Sequence, residues 1–263
     1  MLPEAAYLQL VTTQAPPTLK SRFEAFCRQY PGAEVIDDIL TSEQKLQIKG
    51  GMHVADYFFE NRTIIAEQKS LEKDTAAKLE AFMKQNGITT IPAGDPTVES
   101  LFLALPNGEK LYQKGIDLVT TPIADGLDDA QKQIRDTKKL FNIPSADGLM
   151  IILNDIVKVA APPLIKNRLE VRLAKTGDDG SPYHKDVTRF LHIGERWIPE
   201  GFSDDKMFNM TLPNPTLQEA HGVEAFVFKL AEAWAKFNGH TFGVAVNEMQ
   251  AVLDNSKMTV HLE

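Results

Sequence analysis

The chain is short of cysteine, of positive charge and of uninterrupted apolar sequence, and each shortage excludes something. Cys27 is its one cysteine, so no disulfide can form within the chain, and a reducing compartment suits it. On a helical stripe, a lone cysteine reads as a small buried residue before it reads as a nucleophile. No apolar run nears the roughly 20 residues that span a bilayer, and no charged start leads into a long apolar core. The expectation is a cytoplasmic protein with no membrane partner. Lys and Arg number 28 against 36 Asp and Glu, for a net charge of -8 and a pI near 5.3. That balance excludes a bulk nucleic-acid coat, which is basic, but not an enzyme with local contacts to a polyanion. The six histidines (His53, His184, His192, His221, His240 and His261) are scattered without zinc-ligand spacing. There is no Gly-x-x-x-x-Gly-Lys phosphate loop, and neither Ser145 nor Ser181 sits in a nucleophile elbow.

What is present is ordinary globular composition, 43% hydrophobic and 24% charged over 263 residues. That is enough for one large domain or a domain with a smaller lobe. An apolar patch spans Tyr7 to Val11. Thr18 is placed to cap a helix to about Tyr30, with Leu19, Phe23, Phe26 and Tyr30 on one stripe. Ala33 to Ile36 reads as a strand, and Lys45 to Lys49 alternates polar and apolar residues. A helix is expected over Leu71 to Asn86, stopped by Gly87. Residues 88–124, rich in Pro and Gly, read as an inserted lobe before a helix over Leu127 to Phe141. Gly148 to Leu153 is a wholly apolar run between turn signals, hence a buried strand. Pro162-Pro163 opens a helix to about Lys175. Thr188 to Ile193 reads as a strand, residues 194–214 as turns, and Thr259 to Leu262 as an edge strand. Gln218 to Asn238 reads as an amphipathic helix, whose Phe226, Phe228, Leu230 and Trp234 suit a core or an oligomer interface. Together these give an α/β fold, a mixed central sheet flanked by helices.

The chemistry concentrates in residues 50–74, GGMHVADYFFENRTIIAEQKSLEKD. Tyr57-Phe58-Phe59 and Ile64-Ile65-Ala66 are aromatic or β-branched enough for two strands. A hairpin centred between Asn61 and Arg62 sets Asp56 opposite Glu67. Opposed residues share a face, as do residues two apart on a strand. Asp56, Glu67 and Lys69 then project from one side, with Gln68 turned away. Like charges opposed across a ladder need something between them, and a hard divalent cation binds one or two carboxylates, waters and substrate phosphates. A lysine beside that ion can orient a water or offset phosphate charge.

Asp56, ten intervening residues and Glu67-Gln68-Lys69 resemble the motif of the PD-(D/E)XK, or restriction-endonuclease-like, superfamily. The order of elements from Thr18 to Asn86 is similar too: a helix, a strand, the aspartate strand, the Glu-x-Lys strand and a crossover helix. Ala55 stands where the naming proline would be. The resemblance implies a restriction-endonuclease-like core over residues 1–155 with 88–124 inserted, and a C-terminal α+β extension, 156–263, packed on it. It implies a Mg²⁺-dependent nuclease, with Mn²⁺ as a substitute, in which Asp56, Glu67 and the Gln68 main-chain carbonyl bind metal and Lys69 acts on the attacking water. Glu24, on the first helix, matches a position where some members place an extra acidic ligand. Some exonuclease-like members carry Gln-x-x-x-Tyr on a later helix; here Gln133 is followed by Thr137, and Gln133 and Lys138 are the expected substrate contacts. DNA is the expected partner, with an oligomeric or protein contact through the C-terminal region. The competing expectations are a catalytically inactive binding or assembly subunit, and a nuclease of RNA or branched DNA.

Overall fold

The computed structural model describes residues 17–72, 75–89, 98–154, 157, 162–195, 208–217, 222–240 and 242. The patch at Tyr7 to Val11 and the strand expected over Thr259 to Leu262 lie outside the described residues. The first helix, α1 (Leu19–Gln29), starts where the cap predicts, with the Ser21 amide donating to Thr18 Oγ1 at 3.2 Å. A two-residue strand follows, β1 (Glu34–Val35), then two short helices, α2 (Ile36–Ile39) and α3 (Ser42–Lys49). The alternation of Lys45 to Lys49 is therefore carried by helix. Thr41 and Gln44 form a reciprocal capping box that starts it, satisfying two amides at once.

The hairpin strands are β2 (Tyr57–Phe59) and β3 (Ile64–Ser70). Tyr57 pairs with Ala66, Phe58 with Ile65 and Phe59 with Ile64, the register expected from the sequence. The turn is built without glycine. Glu60, Asn61 and Arg62 all have positive φ, at 48°, 55° and 66°, a conformation that L-residues adopt at some cost. Arg62 holds it closed: its guanidinium bonds both oxygens of Glu34, at 2.6–3.2 Å, and lies over the Phe58 ring.

Five helices and three strands complete the described fold. The helices are α4 (Ala76–Gln85), α5 (Val98–Leu103), α6 (Gly108–Phe141) and α7 (Pro162–Leu173), then α8 (Val223–Phe237) at the C-terminal end. The strands are β4 (Asp147–Asn154), β5 (Arg189–Gly194) and β6 (Phe208–Pro213) beyond the hairpin. All six strands form one sheet in sequence order. The β3–β4 and β4–β5 pairs are parallel, the rest antiparallel. The expected mixed sheet with helices on both faces is what forms.

Residue alternation splits the sheet into two cores. Tyr57, Phe59, Ile64, Ala66, Leu149, Ile151, Leu191 and Ile193 pack under α1 and α8, where Phe23 meets Trp234 edge-on at 5.3 Å. Phe58, Ile65, Met150, Ile152 and Phe190 pack under α4 to α7. Phe226, Leu230 and Trp234 are core, while Phe228 is 37% exposed.

Several element boundaries differ from the expected ones. Within residues 88–124, expected as an inserted lobe, Phe102, Val119 and Ile123 pack in the same core as Phe58. The helix expected from Leu127 begins instead at Gly108 and runs through Pro122. Pro122 cannot donate a backbone bond, and Thr120 and Thr121 turn their hydroxyls back onto the carbonyls of Ile116 and Asp117 at 2.8 and 2.6 Å. The helix expected from Leu71 begins at Ala76. Leu71 instead extends the sheet, its amide donating to the Leu153 carbonyl at 2.9 Å. Within the turn-rich 194–214, β6 pairs along the whole of β5, so the C-terminal part of the chain is built into the same sheet.

One residue in this frame is poorly served. His192 on β5 is 2% exposed and neither ring nitrogen has a hydrogen-bond partner. Burial lowers its pKa from the ordinary 6.5 to about 4. A depressed histidine binds fewer protons folded than unfolded, so its contribution to stability is lost as pH falls from 6.5 towards 4. His192→Leu is expected to be more stable than the parent at neutral pH. The gap should widen by about 3 kcal/mol across that window. Urea unfolding at several pH values checks this, and parallel curves for the two proteins would contradict it.

Candidate active site

The regular ladder ends at Tyr57 and Ala66, and Asp56 lies just beyond it in a bend. Its amide donates to the Ala66 carbonyl at 3.1 Å, and its own carbonyl accepts from the Ile36 amide at 2.9 Å. Across the hairpin, Asp56 Oδ2 accepts from the Gln68 main-chain amide at 2.7 Å. The sequence predicts Asp56 as a ladder residue facing Glu67. The structure brings the two acids together at the open end of the hairpin, with Asp56 bent across to cap the backbone of β3. Gln68 does turn away, its Oε1 accepting from the Tyr57 hydroxyl at 3.2 Å.

Glu67 and Lys69 follow Ile65 on the face towards α6. Gly126 of α6 makes room for the lysine: a Cβ there would already lie 3.4 Å from Lys69 Cγ. Lys69 Nζ sits 2.9 Å from Glu67 Oε1 and donates to Gln133 Oε1 at 2.7 Å. Asp129 is farther, at 3.9 Å. Gln133 uses its other end as well, Nε2 donating to the Val54 carbonyl at 3.1 Å.

The same face of α6 clamps the segment leading into Asp56. Thr137 Oγ1 accepts from the Ala55 amide at 2.8 Å and donates to the Gln133 carbonyl at 2.8 Å. Asp136 Oδ2 accepts from the His53 amide at 3.4 Å. Thr137 therefore supports the backbone of the site, although it is not the tyrosine of the pattern that Gln133 resembles.

Two expected residues lie elsewhere. Lys138 is one residue past Thr137, a rotation of about 100° around the helix, and its ammonium pairs with Asp186 at 3.0 Å. Lys138 is not among the residues that line the cleft beside the two acids, and Gln131 holds the same Asp186 from the same helix. Glu24 is exposed on α1. The α1 residue whose charge bears on Asp56 is Lys20. Among the described residues no group of three or more His, Cys, Asp or Glu side chains is placed to hold a metal.

Glu67 is only 2% exposed, and its Oε2 has no hydrogen-bond partner. Burial, and secondarily the charge of Asp56, raise its pKa to about 8, with Lys69 only partly opposing. Burial raises Asp56 too, against the pull of the Gln68 amide and Lys69. A buried acid with an orphaned oxygen beside a half-buried one, both disfavouring ionisation, fits a hard cation. Mg²⁺ takes one or two carboxylates and draws its remaining ligands from water, carbonyls and phosphate, so a third acidic side chain is not needed.

Beside the acids lies an open cleft of about 240 Å³ lined by His53, Lys69, Asp129, Lys132 and Gln133. Asp129 and Lys132 were not among the expected site residues. The four-residue spacing of Asp129 from Gln133, and the three-residue spacing of Lys132 from Asp129, are the signals that could have found them. No protein-family model matches this chain, and comparison with curated proteins and with solved structures gave no match.

A raised carboxyl binds more protons folded than unfolded. Its stabilising contribution is thus full below pH 4.5 and is lost as pH rises through about 8. In EDTA, Glu67→Gln is expected to stabilise the protein above that window by roughly 2–4 kcal/mol, with no gain below it. Thermal melts at the two ends of the range measure the difference.

Proposed function

We propose that the chain is a Mg²⁺-dependent nuclease that hydrolyses phosphodiester bonds in DNA, built on a restriction-endonuclease-like core. The observation that carries this reading is the buried, partnerless Glu67 Oε2, set near Asp56 and directly beneath the Lys69 ammonium. A fold gains nothing in stability from such a group, whereas a site that must hold a cation needs it.

Asp56 and Glu67 are the residues that would hold the ion. When bound, Mg²⁺ supplies Lewis-acid activation of water and neutralises charge on the phosphate. The remaining work belongs to the chain. Gln133 pins Lys69 Nζ at the floor of the cleft, where its protons can orient a water or a phosphate oxygen. Thr137 and Asp136 fix the backbone of residues 53–55, so that Asp56 keeps its position while the charge around it changes. Preorganised groups of this kind do not have to rearrange as charge develops.

The test is incubation of linear, circular and single-stranded DNA, and of RNA, with Mg²⁺, Mn²⁺ or EDTA. Cleavage is expected with either metal and not with EDTA. Asp56→Ala and Lys69→Ala should each lower it by at least about 100-fold while circular dichroism stays unchanged. Mg²⁺ should raise the melting temperature of the parent protein but not of Glu67→Gln. Metal-dependent cleavage that survived both alanine substitutions would sink the assignment. Nucleic-acid binding without cleavage in any metal would point instead to an inactive binding subunit.

A further inference from the structure

The surface of α6 beyond the cleft carries a pattern that the proposed chemistry does not use. Its C-terminal half holds four cations, Lys132, Arg135, Lys138 and Lys139. Two of these four are neutralised locally, Arg135 by Asp136 at 3.5 Å and Lys138 by Asp186 at 3.0 Å. Lys132 and Lys139 are exposed and, among the described residues, have no ion-pair partner.

 The cations of this half of the helix are thus Lys132, Arg135, Lys138 and Lys139, and only the first and last are free to meet a ligand.

These two lysines lie on one face. Residues seven apart on a helix are nearly in line, and Lys132 and Lys139 are about 10 Å apart along the axis. Asp136, between them, faces the His53 amide, and Lys132 itself lines the cleft. The pair therefore starts at the cleft and runs away from it. The chain as a whole carries a net charge of -8 and repels a polyanion, so two unpaired cations in line with the cleft set a direction of approach.

We propose that Lys132 and Lys139 form a track that holds the phosphate backbone of one nucleic-acid strand as it leaves the cleft. The inference rests on the nuclease reading and names the form of its substrate. The track is a single line of two ammoniums about 10 Å apart, which follows one backbone rather than two, so the proposed substrate is a single or locally unpaired strand. Lysine ammoniums read charge rather than base identity, so the track is tolerant of sequence.

The experiment is fluorescence anisotropy of a labelled oligothymidine in Ca²⁺ across a salt series. Four proteins are compared: the parent, Lys132→Glu, Lys139→Glu, and Lys229→Glu, which makes the same charge change at an exposed position on α8. The parent is expected to bind, and each track variant to bind at least tenfold more weakly. Each should also lower the slope of log affinity against log salt by about 0.7, the value for one phosphate contact on a single strand. Lys229→Glu should match the parent. Equal losses in all three variants would show only bulk charge and overturn the track. So would a parent that does not bind, or a duplex of the same length that binds as tightly with the same dependence on both lysines. Cleavage is scored separately in Mg²⁺. Binding that depends on the two lysines without cleavage keeps the track and removes the hydrolytic reading. Cleavage unaffected by the two lysines does the reverse.

Discussion

One amide holds the site together. Gln133 accepts from Lys69 with its oxygen and donates to the Val54 carbonyl with its nitrogen. It thereby ties α6 to β3 and to the segment that leads into β2, one side chain away from Glu67. An amide suits this place because it offers a donor and an acceptor without adding charge. A carboxylate there would repel Glu67 further and lose the bond to Val54, while an aliphatic side chain would leave the Lys69 ammonium and the Val54 carbonyl without that partner. Thr137 and Asp136 extend the same tie to Ala55 and His53. Much of what positions the acids is therefore neutral hydrogen bonding from a helix, not charge pairing.

That arrangement explains how an unfavourable group is tolerated. A buried carboxylate with an unbonded oxygen costs stability, and the hairpin alone, with a three-residue left-handed turn, could not hold it. The two hydrophobic cores on either side of the sheet supply the rest. Phe58 and Ile65 anchor the hairpin against α6, and Tyr57, Phe59 and Ile64 anchor it against α1 and α8. The strands on which the acids are mounted are fixed from both faces, so local strain at the open end does not open the sheet.

Much of this was legible in the sequence where the signal was local. The strands of the hairpin, their register and the alternation of Glu67, Gln68 and Lys69 follow from apolar spacing and the symmetry of the turn. Gln133 and Thr137 were legible as a helical pair. The bend at Asp56 was not, because it depends on an amide choosing the Ala66 carbonyl. Lys138 was misplaced because helix position is sensitive to a single residue, and Asp186, its partner, is 48 residues away. The first half of α6 was hidden by Pro122, whose usual effect is to end a helix. β6 was hidden because its alternating Phe208, Met210 and Leu212 form a run of only six residues, set among turn formers and ended by Pro213.

The parallel pairing of β3 with β4 has a consequence for the order in which the molecule is made. The hairpin is complete within a dozen or so residues, but Gln133 lies 64 residues beyond Lys69, and β4, which covers the inner edge of β3, follows α6. Closing such a loop is slow compared with forming a hairpin. Until it closes, Glu67 and Lys69 remain in water, where the carboxyl ionises without penalty, and the edge of β3 stays unpaired. The raised pKa of Glu67 is thus a property acquired at the last step of assembly, and a chain that ends before α6 carries the motif without the environment that gives it meaning.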